Sequence, residues 1–531
     1  MKYIEHIVKF QQKHPFLFIL LIGMIVRAIA AIFSRGYGMH DDHFLVIEQA
    51  QSWVDGTDYL KWLPGSRGDK GPEGHSFFYV GFHYLFLKFL ELFGIFDPQW
   101  KMLFVRIFHA GISLFVISFG YRIASLITSG KAPYQVALLL STFWFMPFLS
   151  VRTLVEVACL PFLMYGTLII VRQEQIRQQD LPGFHKFSFL VAGFFLGLAF
   201  NVRYQTAVFG AGLGLALLIN RNWKGAIWTL VGFVVSASIF QGFIDLLIWG
   251  KPFAEFIAYT KYNMTHAQQY IVLPWYNYIL VLAGLLIPPV SLMLMFGYLR
   301  NWRKNLILFL PVLIFIVFHS IYPNKQERFI IPVIPFFIIL GVAGWDEFVA
   351  GSTWWQHRKR LLKYCWGFFW VINITLLLIF TPTYSKRARV EAMSYLKNYP
   401  EITYFVVDDY RSGVLRFPPV FYTGKWPRYD AVYAKRTYAD VASANHWEEI
   451  ENQPDFVVFM RPDKLEQRLD SMKQYIPSLV FERRFRPGTV DMLVHRLNPI
   501  NANEEIYLYR NQARIPLKKG KDEPGGSKGT H

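Results

Sequence analysis

The sequence has little of what disulfide-stabilised, metal-binding or secreted repeat proteins require. Its 531 residues include only two cysteines, Cys159 and Cys365, and both lie in apolar segments. Cysteines placed in this way are more typical of packing than of a disulfide or a metal site. No small-residue cleavage site follows the first apolar run, so we expect it to stay as an anchor and not to be removed as a signal peptide. There is no internal repeat.

Apolar residues are abundant and fall in long runs. Hydrophobic residues make up 53% of the chain and aromatic residues 18%, and the mean hydropathy is +0.26. Runs of about 17–25 apolar residues are long enough to cross a bilayer as helices. Twelve such runs lie near residues 15–34, 77–96, 102–120, 134–150, 154–171, 187–203, 205–220, 225–249, 275–299, 305–322, 329–345 and 362–381. The pattern predicts a polytopic α-helical membrane protein.

The net charge of +18 raises the question of nucleic-acid binding. Neither a basic recognition motif nor an aromatic platform accompanies the charge, which argues against such a partner. The basic residues instead cluster in loops, as membrane topology requires of cytoplasmic loops. These loops are 1–14, 121–133, 172–186, 221–224, 300–304 and 346–361. Contact with membrane lipids or with an anionic lipid phosphate is a second use for the charge.

All six basic loops lie on the cytoplasmic side only if the run 77–96 does not cross the membrane. This run contains Lys88 and Glu91, which favours an interfacial helix. The prediction is then eleven crossings with the N-terminus inside and the C-terminus outside. An alternative keeps 77–96 as a span and reassigns a neighbour, which gives a range of about 11–13.

The segments predicted to lie outside are 35–76, 150–156, 201–204, 250–274 and 322–329. Every unusual polar cluster of the membrane domain falls in or beside them, which indicates one outward-facing site. Residues 1–384 form this predicted membrane domain. Residues 385–513 are polar and alternate between strand and helix patterns, which predicts a small outer α/β domain. Residues 514–531, rich in Lys and Gly, are predicted to be a disordered tail.

The segment after the first run carries the densest group of ionisable residues: His40, Asp41, Asp42 and His43. Ionisable groups at a membrane boundary are expensive to desolvate and usually mark a site. A carboxylate there can accept the proton of an attacking sugar hydroxyl. The alternatives are a metal site and a helix N-cap.

Three further clusters have both structural and functional interpretations. Arg152 with Glu156, and Arg203, fit boundary arginines that snorkel to the headgroups. Lys325 and Arg328 lie in a short turn where they can clamp a phosphate, and two cations in an outer loop oppose the usual charge bias. Asp245, Tyr262, Asn263 and Trp275 belong to an aromatic loop that suits sugar stacking or an interfacial belt.

Taken together, these segments resemble the GT-C membrane glycosyltransferases, and most closely the mannosyltransferase family of GPI-anchor and Alg-type enzymes. The family's first-loop His-Pro-Asp-Glu signature is similar to Met39-His40-Asp41-Asp42-His43-Phe44. Its Thr-Arg-Thr element resembles Val151–Glu156, and its His-Lys-Glu-x-Arg-Phe element resembles Asn324–Phe329. Asp245, Trp249-Gly-Lys251, Tyr262-Asn263 and Pro274–Tyr278 follow the family's order as well. His40, Asp42, Asn324 and Gln326 depart from the family's residues.

The resemblance implies inverting transfer of a hexose, mannose by default, from a polyprenyl-phosphate donor (undecaprenyl or dolichyl) to a hydroxyl of a glycan or glycolipid on the outer face. Asp41 takes the role of general base, with Asp42 and His43 in support. Lys325, Arg328 and Arg203 hold the donor phosphate. Arg152, Glu156, Asp245, Tyr262, Asn263 and Trp275 contact substrate.

No nucleotide motif is present, which fits a lipid-linked donor. No cofactor is predicted, although some fold relatives use a divalent cation. The outer domain favours a bacterial inner membrane, with a periplasmic site, over the endoplasmic reticulum. Two other functions are a flippase or transporter of lipid-linked sugars, which usually has pseudo-repeated halves, and an O-antigen ligase or polymerase, which usually has its key residues in a later loop.

Overall fold

The structure, a computed structural model, describes residues 2–68, 71–409, 415–498 and 505–516. Contacts between Cα atoms divide the chain into two compact units, Met1–Tyr384 and Ser385–His531. The first unit is helical and the second contains a five-stranded sheet.

Every apolar run of the first unit contains at least one helix. Among the described residues, six helices are long and apolar enough to cross a membrane: Pro15–Phe33, Pro98–Ile127, Val155–Gln178, Trp223–Trp249, Glu327–Gly351 and Lys359–Phe380. Four shorter apolar helices are Lys186–Val202, Thr206–Ile219, Val290–Arg300 and Leu306–Ile321. The other helices are Lys2–Lys13, His40–Asp42, His43–Glu48, Gln49–Val54, Pro64–Arg67, Phe77–Leu92, Ala132–Thr142, Met146–Ser150, Ala254–His266, Asn277–Leu285 and Thr353–His357. The predicted class of polytopic helical membrane protein is confirmed, and the range of 11–13 crossings stays a prediction.

Several predicted spans are interrupted where the sequence disfavours a continuous helix. The run near 134–150 is divided into Ala132–Thr142 and Met146–Ser150, and the second helix has proline in its first turn. The run near 275–299 is divided around Pro288 and Pro289. Proline lacks the N–H that an interior helical position must donate, so it is tolerated mainly at a helix start. These breaks turn long apolar runs into pairs of short helices.

Glycines allow several helices to approach closely. A Cβ placed on Gly193 would lie 2.0 Å from the carbonyl oxygen of Thr229, and one on Gly232 would lie 2.0 Å from that of Leu190. Small residues at such crossings let helix backbones pack directly in a membrane. The pair Lys186–Val202 and Trp223–Ala237 therefore depends on these two glycines.

The helix Phe77–Leu92 differs from the spanning helices in length and in charge. It has 16 residues, and Leu85, Phe89 and Leu92 are exposed. Its Glu91 accepts hydrogen bonds from Lys101 and Gln51, so the carboxylate faces polar partners and not the hydrocarbon. These features agree with an interfacial helix.

The second unit contains the strands β1 (Tyr404–Asp408), β2 (Arg428–Val432), β3 (Phe456–Phe459), β4 (Leu479–Phe485) and β5 (Ile506–Asn511). Their order is β2-β1-β3-β5-β4; β1 is parallel to β2 and β3, and β5 is antiparallel to β3 and β4. Helices Arg387–Leu396, Tyr438–Ala444, Leu465–Lys473 and Thr489–Leu497 accompany the sheet. The predicted α/β character is confirmed. Residues 517–531 of the predicted tail lie outside the described residues.

Candidate active site

Four separate segments bring charged side chains together where apolar helices begin or end. Asp41 follows the helix Pro15–Phe33, and Arg203 follows Lys186–Val202. Glu156 lies in the first turn of Val155–Gln178, and Arg328 lies in the first turn of Glu327–Gly351. Because two helices end and two begin at this cluster, one end of the helical unit carries all four side chains.

Arg328 is the centre of the cluster. Its Nη2 donates a hydrogen bond of 2.7 Å to Asp41, and its Nε donates one of 2.7 Å to Gln326. Its Nε lies 3.5 Å from Glu156, and its Nη1 lies 4.0 Å from Asp42. One guanidinium therefore faces three carboxylates supplied by two distant segments of the chain.

Glu156 is fully buried and links the two arginines. Its Oε1 lies 2.6 Å from Nη1 of Arg203, which is itself 5% exposed. The guanidinium of Arg203 also faces the ring of Phe329 at 5.3 Å. A buried carboxylate needs such partners because an isolated charge is strongly disfavoured away from water.

Asp42 is buried beside this pair. Burial, together with the neighbouring charge of Glu156, raises the pKa of Asp42 well above its ordinary value. The backbone of this residue is fixed as well, because the hydroxyl of Thr153 donates a 2.8 Å hydrogen bond to its carbonyl oxygen. Asp42 therefore favours the protonated form more than its neighbour Asp41 does.

Asp41 has the opposite environment. Its side chain is 52% exposed. Partial desolvation raises its pKa, but the charge and hydrogen bond of Arg328, with His40 and His75, outweigh this effect and lower it below the ordinary value. Two adjacent aspartates thus have opposite tendencies: the accessible one stays ionised at neutral pH and can accept a proton from solvent-borne substrate.

The remaining predicted catalytic residue, His43, contacts Glu48 and Tyr37. Its Nε2 lies 3.6 Å from Glu48, and its ring stacks on Tyr37 with a centroid separation of 4.7 Å. These contacts belong to the helical turn His43–Glu48 and hold the segment that carries the two aspartates.

Lys325 and Arg152 bond mainly to backbone carbonyls. The ammonium of Lys325 donates to the carbonyls of Ser320, at 2.9 Å, and of Tyr322, at the end of the helix Leu306–Ile321. Arg152 donates to the carbonyls of Ser34 at 2.9 Å and Gly36 at 3.0 Å. Arg152 thus fixes the exit of the first helix, and Lys325 fixes the turn that leads to Arg328.

Asp245 reaches the first loop through a residue that the motifs do not include, Glu255. Asp245 accepts the backbone N–H of Glu255 at 2.9 Å. The carboxylate of Glu255 accepts the N–H groups of Gly74, at 2.6 Å, and His75, at 2.9 Å, and the indole N–H of Trp249. This network ties the end of the first loop to the aromatic loop. The sequence signal for Glu255 was only an acid in the first turn of a helix; its burial is visible in the structure alone.

The aromatic loop presents several exposed rings. Tyr262 is hydrogen-bonded to Tyr270 through the hydroxyl groups and stacks on His266 at 4.2 Å. The carbonyl of Asn263 accepts a 2.7 Å hydrogen bond from Tyr322. Trp275 is 67% exposed and contacts Tyr276. Within the described residues, Tyr262, Asn263 and Trp275 share no hydrogen bond or ion pair with the Arg328 cluster.

Two arginines lie beside the three carboxylates of the cluster. Arg328 and Arg203 occupy the positions around Asp41, Asp42 and Glu156. Within the described parts of the chain, no group of three His, Cys, Asp or Glu residues is arranged to hold a metal ion.

Residues 17–414 match the model of the Alg9-like mannosyltransferase family. The chain belongs to the Alg9-like mannosyltransferase family. The matched region includes every residue of the Arg328 cluster and extends into the second unit.

Two curated relatives of this family member are yeast proteins. The chain is 24% identical over 404 residues to "GPI mannosyltransferase 3" of Yarrowia lipolytica, covering 74% of the chain and 73% of the relative. It is 26% identical over 171 residues to the protein of the same name in Saccharomyces cerevisiae, covering 30% of the chain and 27% of that relative.

Solved structures share the fold at low sequence identity. ArnT from Cupriavidus metallidurans bound to undecaprenyl phosphate aligns with a TM-score of 0.56 and 13% identity, over 95% of this chain and 99% of ArnT. The oligosaccharyltransferase AglB from Archaeoglobus fulgidus, in complex with an inhibitory peptide and a dolichol-phosphate, aligns with a TM-score of 0.53 and 11% identity, over 85% and 70%. The chain is therefore an integral-membrane glycosyltransferase of the GT-C type, similar to mannosyltransferases.

Proposed function

We propose that this enzyme transfers a hexose, mannose by default, from a polyprenyl-phosphate donor to a hydroxyl of a glycan or glycolipid on the outer face of its membrane. The observation that carries the proposal is the meeting of an accessible ionised aspartate, Asp41, with the buried Arg203 and the partly exposed Arg328 at one end of the helical unit. A base and a phosphate-binding pair are the two groups that such a transfer requires.

Asp41 acts as the general base and Arg328, with Arg203, receives the phosphate. The acceptor hydroxyl gives its proton to Asp41 as its oxygen attacks the anomeric carbon. The phosphate gains negative charge as the bond to that carbon breaks, and a preorganised cation at this position stabilises the charge. The carbonyl contacts of Lys325 support a role in positioning this turn. Asp42 and His43 support the base: Asp42 is its neighbour in the chain, and the contacts of His43 hold the segment that carries it.

The acceptor approaches from the exposed side of Asp41. Tyr262 and Tyr270 are both more than 40% exposed, and their rings offer the flat apolar surface on which sugar C–H faces stack. Asn263 and Trp275 extend the same loop. Arg152, Glu156 and Asp245 complete the proposed set. Arg152 and Asp245 bind backbone groups of the loops that face substrate, and Glu156 binds Arg203.

The nature of the donor is supported by the relatives. The ArnT structure contains undecaprenyl phosphate and the AglB structure contains a dolichol-phosphate. The yeast relatives are named for mannosyl transfer. A polyprenyl-phosphate mannose combines the lipid carrier of the solved structures with the sugar in the names of the yeast relatives.

The arginines also bear on the question of a metal. We expect the reaction to proceed without a divalent cation, because the two guanidinium groups offset the charges of Asp41 and Glu156, and Asp42 favours its protonated form. The same two cations lie where the phosphate is proposed to bind.

The compartment is a separate part of the proposal. A bacterial inner membrane, with the site on the periplasmic side, is favoured over the endoplasmic reticulum because of the second unit. The yeast origin of the curated relatives weighs against it. Membrane fractionation of the native host decides between the two.

The decisive experiment measures transfer of radiolabelled mannose from undecaprenyl-phosphate mannose to membrane extracts. Purified wild type, Asp41→Asn and Glu347→Gln are compared, with and without a chelator. Glu347 forms an exposed ion pair with Lys304, so its variant controls for loss of a surface carboxylate. We expect wild type and Glu347→Gln to transfer label equally, with or without chelator, and Asp41→Asn to be inactive while remaining folded. Full turnover by Asp41→Asn removes it as the base.

A further inference from the structure

In the proposed function, Nη2 of Arg328 has two possible partners, Asp41 and the donor phosphate, and it cannot bind both at the same time. Its inner side is fixed, because its Nε donates to Gln326 at 2.7 Å and lies 3.5 Å from Glu156. Its outer nitrogen, Nη2, is bonded to Asp41 at 2.7 Å. The proposed function requires this guanidinium to bind the donor phosphate, yet without substrate it is bonded to the base.

The accessibility of the two partners differs. The side chain of Arg328 is 11% exposed, and that of Asp41 is 52% exposed. A ligand that approaches from the solvent side therefore first contacts Asp41 and Nη2 of Arg328, which donates a hydrogen bond to Asp41. The Nε stays covered by Gln326 and Glu156.

We propose that Arg328 exchanges Asp41 for the phosphate of the lipid-linked donor, so that donor binding releases the base for the acceptor hydroxyl. The inference rests on the proposed function and adds an order to it: the donor binds first, and the acceptor is deprotonated second. Glu156 is the positioning residue of this exchange, because it holds the inner side of Arg328 while the outer nitrogen changes partner.

The changes in charge during the reaction favour the exchange. The bond between the anomeric carbon and the phosphate oxygen breaks, its electron pair stays on the phosphate, and the phosphate changes from a monoanion to a dianion. The acceptor oxygen forms the new bond to the anomeric carbon, and its proton passes to Asp41. Asp41 thus loses one negative charge as the phosphate gains one. The electrostatic attraction of Arg328 to Asp41 therefore weakens while its attraction to the phosphate strengthens.

Glu156 keeps Arg328 from leaving the site altogether. It is fully buried and is also bound to Arg203 at 2.6 Å. Neither of these groups is a partner in the proton transfer. The inner half of the guanidinium therefore has the same surroundings before and after the exchange.

A binding measurement without turnover tests the exchange. The charged and titratable groups around Asp41 are Arg328, His40 and His75, with Asp42 and Glu156 behind it and Tyr270 in the aromatic loop. Loss of the Arg328 contact raises the pKa of Asp41, since an adjacent cation lowers that of a carboxyl by about 1–3 units. Near the ordinary aspartate pKa of about 4, donor binding must then be accompanied by proton uptake.

The probe is undecaprenyl-phosphate mannose in detergent micelles, with no acceptor, because its phosphodiester does not titrate in this range. Titration calorimetry in two buffers of different ionisation enthalpy gives the number of protons taken up. We expect about half a proton per donor bound for a shift of one unit, none for Asp41→Asn, and a reduced value for Arg328→Lys, which lacks the fork needed to hold Gln326 and a second partner together.

The outcomes separate the two proposals. Binding without proton uptake, or equal uptake by wild type and Asp41→Asn, overturns the exchange and leaves the donor assignment intact. Absence of binding by the folded wild type contradicts the donor itself, and with it the proposed function. Glu347→Gln serves as the control carboxylate and should bind and take up protons as wild type does.

Discussion

The charged residues of the cluster differ in burial and share their partners. Glu156 has no exposed surface and neutralises Arg203 at 2.6 Å and Arg328 at 3.5 Å. Asp41, in the first loop, is open to solvent and bonded to one of the same arginines. Removing the buried carboxylate is therefore a different experiment from removing the exposed one.

We expect Glu156→Gln to destabilise the protein by about 3–5 kcal/mol, because it leaves a buried guanidinium without its anion. Thermal unfolding of the purified protein in detergent measures the loss. Glu347→Gln, which breaks an exposed pair with Lys304, should change stability by no more than about 1 kcal/mol. Equal stability of the two variants would contradict the assigned pairing.

The sequence identified the members of this cluster, and only the structure joined them. Asp41, Glu156, Arg203 and Arg328 each lie beside an apolar run, and residue type with position predicted a site there. The pairing of Arg328 with Asp41 depends on which helix ends are neighbours, which no local pattern specifies. Glu255 was missed because an acid in a helix's first turn is usually a favourable surface charge.

At the scale of elements, a buried carboxylate connects two loops, and glycines allow helices to pack closely. Glu255, in the first turn of Ala254–His266, accepts the N–H groups of Gly74 and His75. The end of the first loop is thereby attached to another loop about 180 residues later in the chain.

The burial of Glu255 predicts a pH dependence of stability. Burial raises the pKa of Glu255 from 4.5 to about 7, so the folded protein keeps a proton that the unfolded chain releases over this range. The contribution to stability is fully present below pH 4.5 and is lost as the pH rises towards 7. We expect Glu255→Gln to flatten this part of the curve of melting temperature against pH. A curve parallel to that of wild type would show that Glu255 does not titrate in this way.

The helix crossing at Gly193 gives a prediction with an internal control. Gly193→Ala forces a Cβ to within 2.0 Å of the Thr229 carbonyl, and we expect a loss of about 1–3 kcal/mol from overpacking. Gly214, in the helix Thr206–Ile219, has no atom within 4 Å of the corresponding position. Gly214→Ala should be neutral or stabilising by up to about 1 kcal/mol. Unfolding in detergent compares the two, and equal effects would contradict the close crossing.

The whole molecule consists of an apolar helical unit and a polar sheet unit, each with its own interior. In the second unit, Trp447 is 1% exposed and packs with Val406, Val457 and Ile476. A unit with its own core is expected to fold without the rest of the chain.

Residues 385–531 expressed alone should therefore be soluble and should unfold in a single cooperative transition. Trp447→Ala should lower the free energy of unfolding by about 3–5 kcal/mol, because it removes a large buried side chain. Circular dichroism and denaturant titration measure both. A fragment without a cooperative transition would contradict the independence of this unit.

The sequence by itself determined the class of the protein, because apolar periodicity and charge in the loops follow from what each residue tolerates in lipid or water. The alternation of strand and helix patterns over residues 385–513 also predicted the α/β character of the second unit, in which Phe456–Phe459 is a strand and Leu465–Lys473 a helix. The tertiary structure alone decided that Arg152 binds the carbonyls of Ser34 and Gly36 and that the guanidinium of Arg328 is shared among three carboxylates. These features depend on contacts between residues more than 100 positions apart or on backbone packing, and neither is encoded in a short window of sequence.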